Sequence, residues 1–166
     1  VGNIGPVAES EIINLVDDIF SSLKIKNLKL KINHREILNL ISVYVDEADK
    51  FKQLTISFDK IDKIGVSGVI DELINDGFSE SAVDKIKTLL SFSGTNSEKF
   101  EFLKNLFKNQ SLSDSCLNDL KSTMDLVAKL KTIEIEFDFS LARGLGYYTG
   151  IISVSYTHLT LPTKEE

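Results

Sequence analysis

The chain has 166 residues, 42% of them hydrophobic and 27% charged, with a formal net charge of −6. That is the composition of about one globular domain with a core of its own, and its acidic balance excludes a free-standing, non-specific nucleic-acid binder, which would be basic. The single cysteine, Cys116, excludes an internal disulfide and fits a reducing compartment, while no apolar run reaches the roughly 18 residues a membrane span requires.

The N-terminus has neither the basic nor the apolar region of a signal peptide, and starting at Val1 without a methionine points to a beginning inside a longer protein. Gly5-Pro6 punctuates the start, and Pro6 suits a first helical position. Ile12, Ile13, Val16, Ile19, Phe20 and Leu23 then recur at helical spacing. They predict an amphipathic helix over 7–23 with that stripe in the core. Residues 26–32 switch to period two, with Leu28, Leu30 and Ile32 on one face and Lys29 and Lys31 on the other, as in a strand buried on one side. Asn33 can cap the helix that follows to about Val45. His34 reads as a helix-start residue, and Arg35 is expected to tie to a neighbouring acid.

From about Val43 to Lys131 the chain reads as helix after helix. The clusters Val69/Ile70/Leu73/Ile74, Val83/Ile86/Leu89/Leu90, Phe100/Leu103/Leu106/Phe107 and Leu117/Leu120/Met124/Val127/Leu130 each fit helical spacing. Asp76-Gly77 ends one helix, Ser79 can cap the next, and Thr95-Asn96-Ser97-Glu98 matches a capping box. Ser111 or Ser113 can start the last helix. No proline lies between Pro6 and Pro162, so nothing is expected to break these helices. The lysines of this region either line a face for RNA phosphates or are solvated helix surface. Cys116 has no Cys/His cluster beside it and reads as a buried, inert thiol.

Residues 132–140 return to alternation, with Ile133, Ile135, Phe137 and Phe139 against Glu134, Glu136, Asp138 and Ser140. The three acids make either a solvated sheet face or an acidic wall for an amine or imidazole. A further strand over 147–155 is expected to pair antiparallel with 133–140 across the intervening loop.

That loop, Leu141 to Gly150, holds Arg143, one of two arginines in the chain. A guanidinium where lysine is the habit suggests a task for a planar fork of donors, the grip of a carboxylate or phosphate. Gly144 and Gly146 permit a close approach of backbone to ligand. Tyr147 and Tyr148 point to opposite faces of a strand, and Tyr148 shares its face with Gly150. The alternative is a plain turn with Arg143 in a surface salt bridge. The chain has no Ser/His/Asp set, metal-ligand spacing, P-loop or dinucleotide fingerprint.

Arg143-Gly144-Leu145-Gly146-Tyr147-Tyr148-Thr149-Gly150 resembles the histidine-specific motif of the histidyl-tRNA synthetase family, class II aminoacyl-tRNA synthetases. Val1-Gly2 with Ala8–Ile13, then Leu28–Leu38, then Phe58–Gly65 resemble other family segments in order and spacing, so that the resemblance covers nearly all of 1–154. The family usually has Asp or Asn where this chain has Gly146.

The resemblance implies an α/β (α+β) fold: part of the class II antiparallel catalytic sheet with a largely helical insertion. Residues 1–42 would be a catalytic-core piece, 43–131 the insertion, and 132–155 core strands with the histidine-binding motif. Residues 156–166 resemble translated library-adapter sequence and are expected to be foreign to the family. The implied reaction joins histidine to ATP and transfers the histidyl group to tRNA(His). Arg143 would be the catalytic arginine, Tyr148 and Tyr147 would hold the histidine, and Gly144 and Gly150 would shape the pocket. ATP would be a substrate with Mg2+, for which no ligand is assigned, and no other metal site is expected. A cytoplasmic homodimer is implied for the full-length protein. This stretch alone would be inactive, because family motifs 1, 2 and 3 fall largely outside it. The alternatives are a non-catalytic, histidine-binding regulatory subunit of ATP phosphoribosyltransferase, which lacks the helical insertion, and an unrelated helical interaction module.

Overall fold

Pro6 opens helix α1 (Pro6–Ser22), where a fixed φ and a missing N–H cost nothing. The computed structural model describes residues 5–25, 28–108, 110, 113–127, 129–143 and 150–157. After α1 come strand β1 (Leu28–His34), α2 (Arg35–Tyr44), a short 3-10 turn at Ala48–Lys50, and α3 (Phe51–Asp59). Helices α4 (Ile61–Asn75), α5 (Glu80–Leu90), α6 (Asn96–Leu106) and α7 (Ser113–Leu126) follow, then β2 (Ile133–Phe137) and β3 (Ile151–Thr157). Among the described residues no strand lies between β1 and β2, as the periodicity predicts.

The helix ends are set by local chemistry. Gly77 takes φ +77° after α4, and the Phe78 and Gly77 amides return to the Leu73 and Ile74 carbonyls, a Schellman closure. Ser79 caps α5 by accepting from the Ala82 amide, and Thr95 with Glu98 forms the predicted capping box of α6. Three expectations fail here. The cap of α2 is His34, whose Nδ1 accepts from the Glu36 amide at 3.1 Å, and not Asn33, which is fully buried. Proline is absent from the helical region, yet Gly65 (φ 69°, ψ 176°) still breaks α4 into a short piece and a long one. Arg35 lies over the Phe51 ring, 5.2 Å from its centroid, and pairs with no acid among the described residues.

The three strands form a mixed sheet in the order β2-β1-β3. β1 pairs parallel with β2, Leu28 opposite Ile133 and Ile32 opposite Phe137, and antiparallel with β3, His34 opposite Ile151. The α/β character is as expected, but the sheet is not wholly antiparallel. The expected pairing of the last strand with 133–140 is also wrong: β3 runs opposite to β2 but lies on the far side of β1. Parallel neighbours cannot be joined by a hairpin, so the helices α2 to α7 form the crossover between β1 and β2. β3 also runs to Thr157, two residues beyond its predicted end.

The outer edge of β2 is satisfied by side chains. Asn96 donates to the Ile135 carbonyl and accepts from the Phe137 amide, both at 2.9 Å, and Lys99 donates to the Phe137 carbonyl at 2.7 Å. At the start of the strand, Asp17 of α1 accepts from the amides of Lys131, Thr132 and Ile133 and from the Thr132 hydroxyl. Asp17 is 3% exposed. Burial pushes its carboxyl up, but these four bonds together outweigh burial and leave it below the ordinary carboxylate value.

The core is continuous from sheet to helices. Phe100 of α6 stacks on Phe137 of β2 at 4.6 Å, Phe92 stacks on Phe102 at 4.1 Å, and Phe58, Phe107 and Phe137 are fully buried. Cys116 is buried as expected, and burial pushes its thiol up to about 11. The predicted stripe of α1 is only partly covered: Ile13 is buried, but Ile12, Ile19 and Leu23 are exposed. The inward face carries Ile13, Val16 and Phe20 of that stripe together with Ser10 and Asp17, and it is Asp17 that meets the start of β2.

Asp17→Ala should lower stability by about 1–3 kcal/mol in denaturant unfolding, because it strands three backbone amides, that of Ile133 buried. Since the folded pKa is depressed, this stabilisation is present above the unfolded value of about 3.9 and lost as pH falls through the folded one. The gap between wild type and Asp17→Asn should therefore close on acidification below about pH 4. Gly77→Ala should cost about 1 kcal/mol, wholly from its positive φ, since a Cβ there meets nothing within 4 Å.

Candidate functional site

β1 and β2 end at the same edge of the sheet, and β3 begins there, so residues 138–143 and Gly150 lie at the C-terminal end of β1. Its first half is tightly fixed. The Asp138 amide bonds the Ile32 carbonyl, and the Asp138 carboxylate accepts from the Ser140 amide and hydroxyl, closing a turn. Buried Asn33 donates to the carbonyls of Phe139 (3.1 Å) and Leu141 (3.0 Å). Phe139, Leu141 and Ala142 are buried, and the chain then emerges at Arg143.

Arg143 meets carboxylates from the joint between α3 and α4. Its Nη1 lies 3.1 Å from Asp59 Oδ1 and its Nη2 lies 3.8 Å from Asp62 Oδ2. The first contact is an ion pair off the N–H direction, since Asp59 Oδ1 accepts no hydrogen bond. Asp62 also accepts from the Tyr156 hydroxyl at 2.9 Å and pairs with Lys31 at 3.5 Å. Lys31 reaches Asp138 at 2.9 Å. Hydrogen bonding to Tyr156, with the charges of Asp59 and Asp62, holds the guanidinium more firmly protonated despite its partial burial. Burial alone would lower the Lys31 pKa and raise that of Asp138; the bond to Asp138 reverses the first, and the Ser140 hydroxyl followed by Lys31 reverses the second.

Of the sequence-predicted site residues, Arg143 stands in this cluster, with its side chain 38% exposed. The Gly150 carbonyl accepts from the Arg35 amide at 2.9 Å, and space beside its α-carbon is open. Gly144, Tyr147 and Tyr148 lie outside the described residues, as does Gly146. The acid face of β2 is neither bare nor a wall awaiting an amine. Glu136 pairs with Lys29 of β1 and Lys99 of α6, and Asp138 with Lys31; the parallel register sets the two β1 lysines beside that face. Sequence reasoning did not select Lys31, Asp59, Asp62 or Tyr156. The first three were visible only as members of segments Leu28–Leu38 and Phe58–Gly65, whose contact needs the register to be known.

The cavity beside Arg143, lined also by Lys31, Phe58, Asp59, Asp62 and Asp138, holds about 10 Å³, close to the volume of a single water position. It is too small for an amino acid or nucleotide. No group of three or more acids, histidines and cysteines among the described residues is arranged to hold a metal ion, and the acids near Arg143 are engaged by cations. They do not fit a Mg2+ site.

The fold is that of known aminoacyl-tRNA synthetases. A crystal structure of histidyl-tRNA synthetase from Nostoc sp. PCC 7120 superposes over 93% of this chain and 37% of that one, with a TM-score of 0.79 at 20% identity. A structure described as an ATP phosphoribosyltransferase regulatory subunit/histidyl-tRNA synthetase from Bacillus halodurans C matches 95% of this chain and 41% of that one, with a TM-score of 0.77 at 19% identity. A family model described as histidyl-tRNA synthetase matches residues 1–160, and the chain belongs to that family. The histidine–tRNA ligases of Flavobacterium johnsoniae and Bacteroides fragilis are 39% and 38% identical to it, over 92% of this chain in each case. The chain spans about a third of the length of these relatives (32% and 34%).

Lys31→Ala should destabilise by about 1–3 kcal/mol, the range for a hydrogen bond to a charged group, because its Asp138 contact is largely covered. Lys29→Ala, at a more exposed pair, should cost less than about 1 kcal/mol. Urea titration of the two variants measures the difference.

Proposed function

We propose that this chain is the middle part of an enzyme that activates histidine with ATP and transfers it to tRNA(His). In this reading the acyl-adenylate forms when the histidine carboxylate attacks the α-phosphate and pyrophosphate leaves. Negative charge then gathers on the reacting phosphate, and a fixed cationic fork aimed there lowers the barrier. The supporting observation is Arg143: it belongs to a family-specific motif, follows a rigidly packed turn, stays firmly protonated and keeps its guanidinium partly exposed. Tyr148, with Tyr147 second, hydrogen-bonds the imidazole, and Gly144 and Gly150 give the ligand room. ATP arrives with Mg2+, for which no ligand is assigned among the described residues. Residues 1–42 and 132–155 are then catalytic-core pieces, 43–131 is the helical insertion, and 156–166 is foreign sequence. The full-length enzyme works as a homodimer in the cytoplasm.

The test is histidine-dependent ATP–pyrophosphate exchange by the full-length protein, with circular dichroism to monitor folding. Arg143→Lys should lose on the order of 10²-fold in rate with the fold intact, since lysine keeps the charge and loses the fork. Tyr148→Phe should raise the KM for histidine about tenfold and leave that for ATP nearly unchanged, the effect of one lost hydrogen bond. Near-normal exchange by folded Arg143→Lys would reduce Arg143 to a surface ion pair. The 166-residue chain by itself should form no histidyl-adenylate, because positioning of the nucleotide supplies much of such a rate.

A further inference from the structure

We propose that Asp59 and Asp62, at the joint between α3 and α4, are positioning residues that hold the Arg143 fork in its working orientation. The proposal rests on the role of Arg143 given above. An arginine side chain has about 2 kcal/mol of rotamer entropy to lose, and a guanidinium as exposed as this one stays spread over several rotamers unless partners fix it. Here each terminal nitrogen faces a different carboxylate, Nη1 at Asp59 and Nη2 at Asp62. The two carboxylates draw the two nitrogens by charge, without a hydrogen bond to either, and the Tyr156 hydroxyl adds the hydrogen bond.

The anchors are themselves held. Asp59 is the last residue of α3, directly after Phe58, which is 1% exposed. Lys60 ends α3 and starts α4, and its ammonium is braced on Glu72 of the same α4 at 2.9 and 3.0 Å. Asp62 stands in the first turn of α4, in the short piece that Gly65 separates from the rest of the helix. From the sheet side Lys31 lies 3.5 Å from it, a second contact beside the hydroxyl of Tyr156, a residue of the stretch read as foreign. The helical crossover thus reaches back to the loop between β2 and β3 through one short, braced turn.

The local charge favours orientation over field strength. Lys31 and Arg143 face Asp59, Asp62 and Asp138, so the acids offset the pull of Arg143 on an incoming anion. If that shielding were their main effect, removing an acid would speed the reaction. If they orient the fork, removing one slows it.

Exchange kinetics of the full-length protein decide between these. At saturating histidine and ATP, Asp59→Asn and Asp62→Asn should each lower kcat about tenfold, with either KM changed less than about threefold. Asp62→Glu, which keeps the charge and moves it by one methylene, should fall between wild type and Asp62→Asn. Combined with Arg143→Lys, the Asn substitutions should cause no further loss, because their effect passes through the fork. Wild-type or faster kcat in the Asn variants, or the same fold-loss with and without Arg143, would overturn the proposal. Both carboxylates are more than a third exposed, so thermal melts should stay close to wild type; should Asp62→Asn fail to fold, kcat of Asp62→Glu at wild-type level overturns it equally. A folded Arg143→Lys protein with normal exchange would instead remove the underlying reading of Arg143.

Discussion

Parallel pairing of Leu28–Ile32 with Ile133–Phe137 is the constraint from which the architecture follows. Two adjacent strands pointing the same way need a connection that leaves the sheet and returns, and here that connection is the whole set of helices from α2 to α7. Closing so long a loop adds little entropy cost beyond a shorter one, because the cost grows only with the logarithm of length. The body of helices is therefore tolerable, provided the return point is firmly held. Asp17 supplies that hold by gathering the amides where the chain re-enters the sheet, and the Phe100–Phe137 stack fastens α6 to the same strand.

The same pairing sets the electrostatics of the site. Along β1 the lysines alternate with buried apolar residues, and along β2 the acids do, so a parallel register brings cations and carboxylates to one face. Lys31 then bridges Asp138, which shapes the turn before Arg143, and Asp62, which meets Arg143 itself. A lysine on the central strand thereby connects the turn that leads into Arg143 with the α3–α4 joint, far apart in sequence.

Much of this was legible because it is local. Pro6, Ser79, the Thr95–Glu98 box and Asp76-Gly77 announce helix boundaries through chemistry confined to a few residues. Apolar spacing likewise separates helices from strands. What depends on distant partners was not legible. Asn33 and His34 are both plausible caps in isolation, and only the nearness of the Phe139 and Leu141 carbonyls draws Asn33 inward and leaves the cap to His34. The α1 stripe marks an amphipathic helix correctly, yet periodicity does not state which side will find a neighbour. The order β2-β1-β3 could not be read from a glycine-containing loop that suits a hairpin equally well. At the site, the motif singled out Arg143, while its acidic partners lie in another segment whose contact only the fold creates.

Asn96 and Lys99 lend their side chains to the groups that β2 would otherwise offer to a neighbouring strand. Among the described residues the opposite margin, along β3, meets no further strand. The sheet is therefore polar as a building unit. A strand supplied by another part of the protein, or by another molecule, finds its template beside β3, whereas joining at β2 would first require two side chains of α6 to let go. Lateral growth is confined to one direction by an amide and an ammonium, without the proline or bulge that commonly guards an edge.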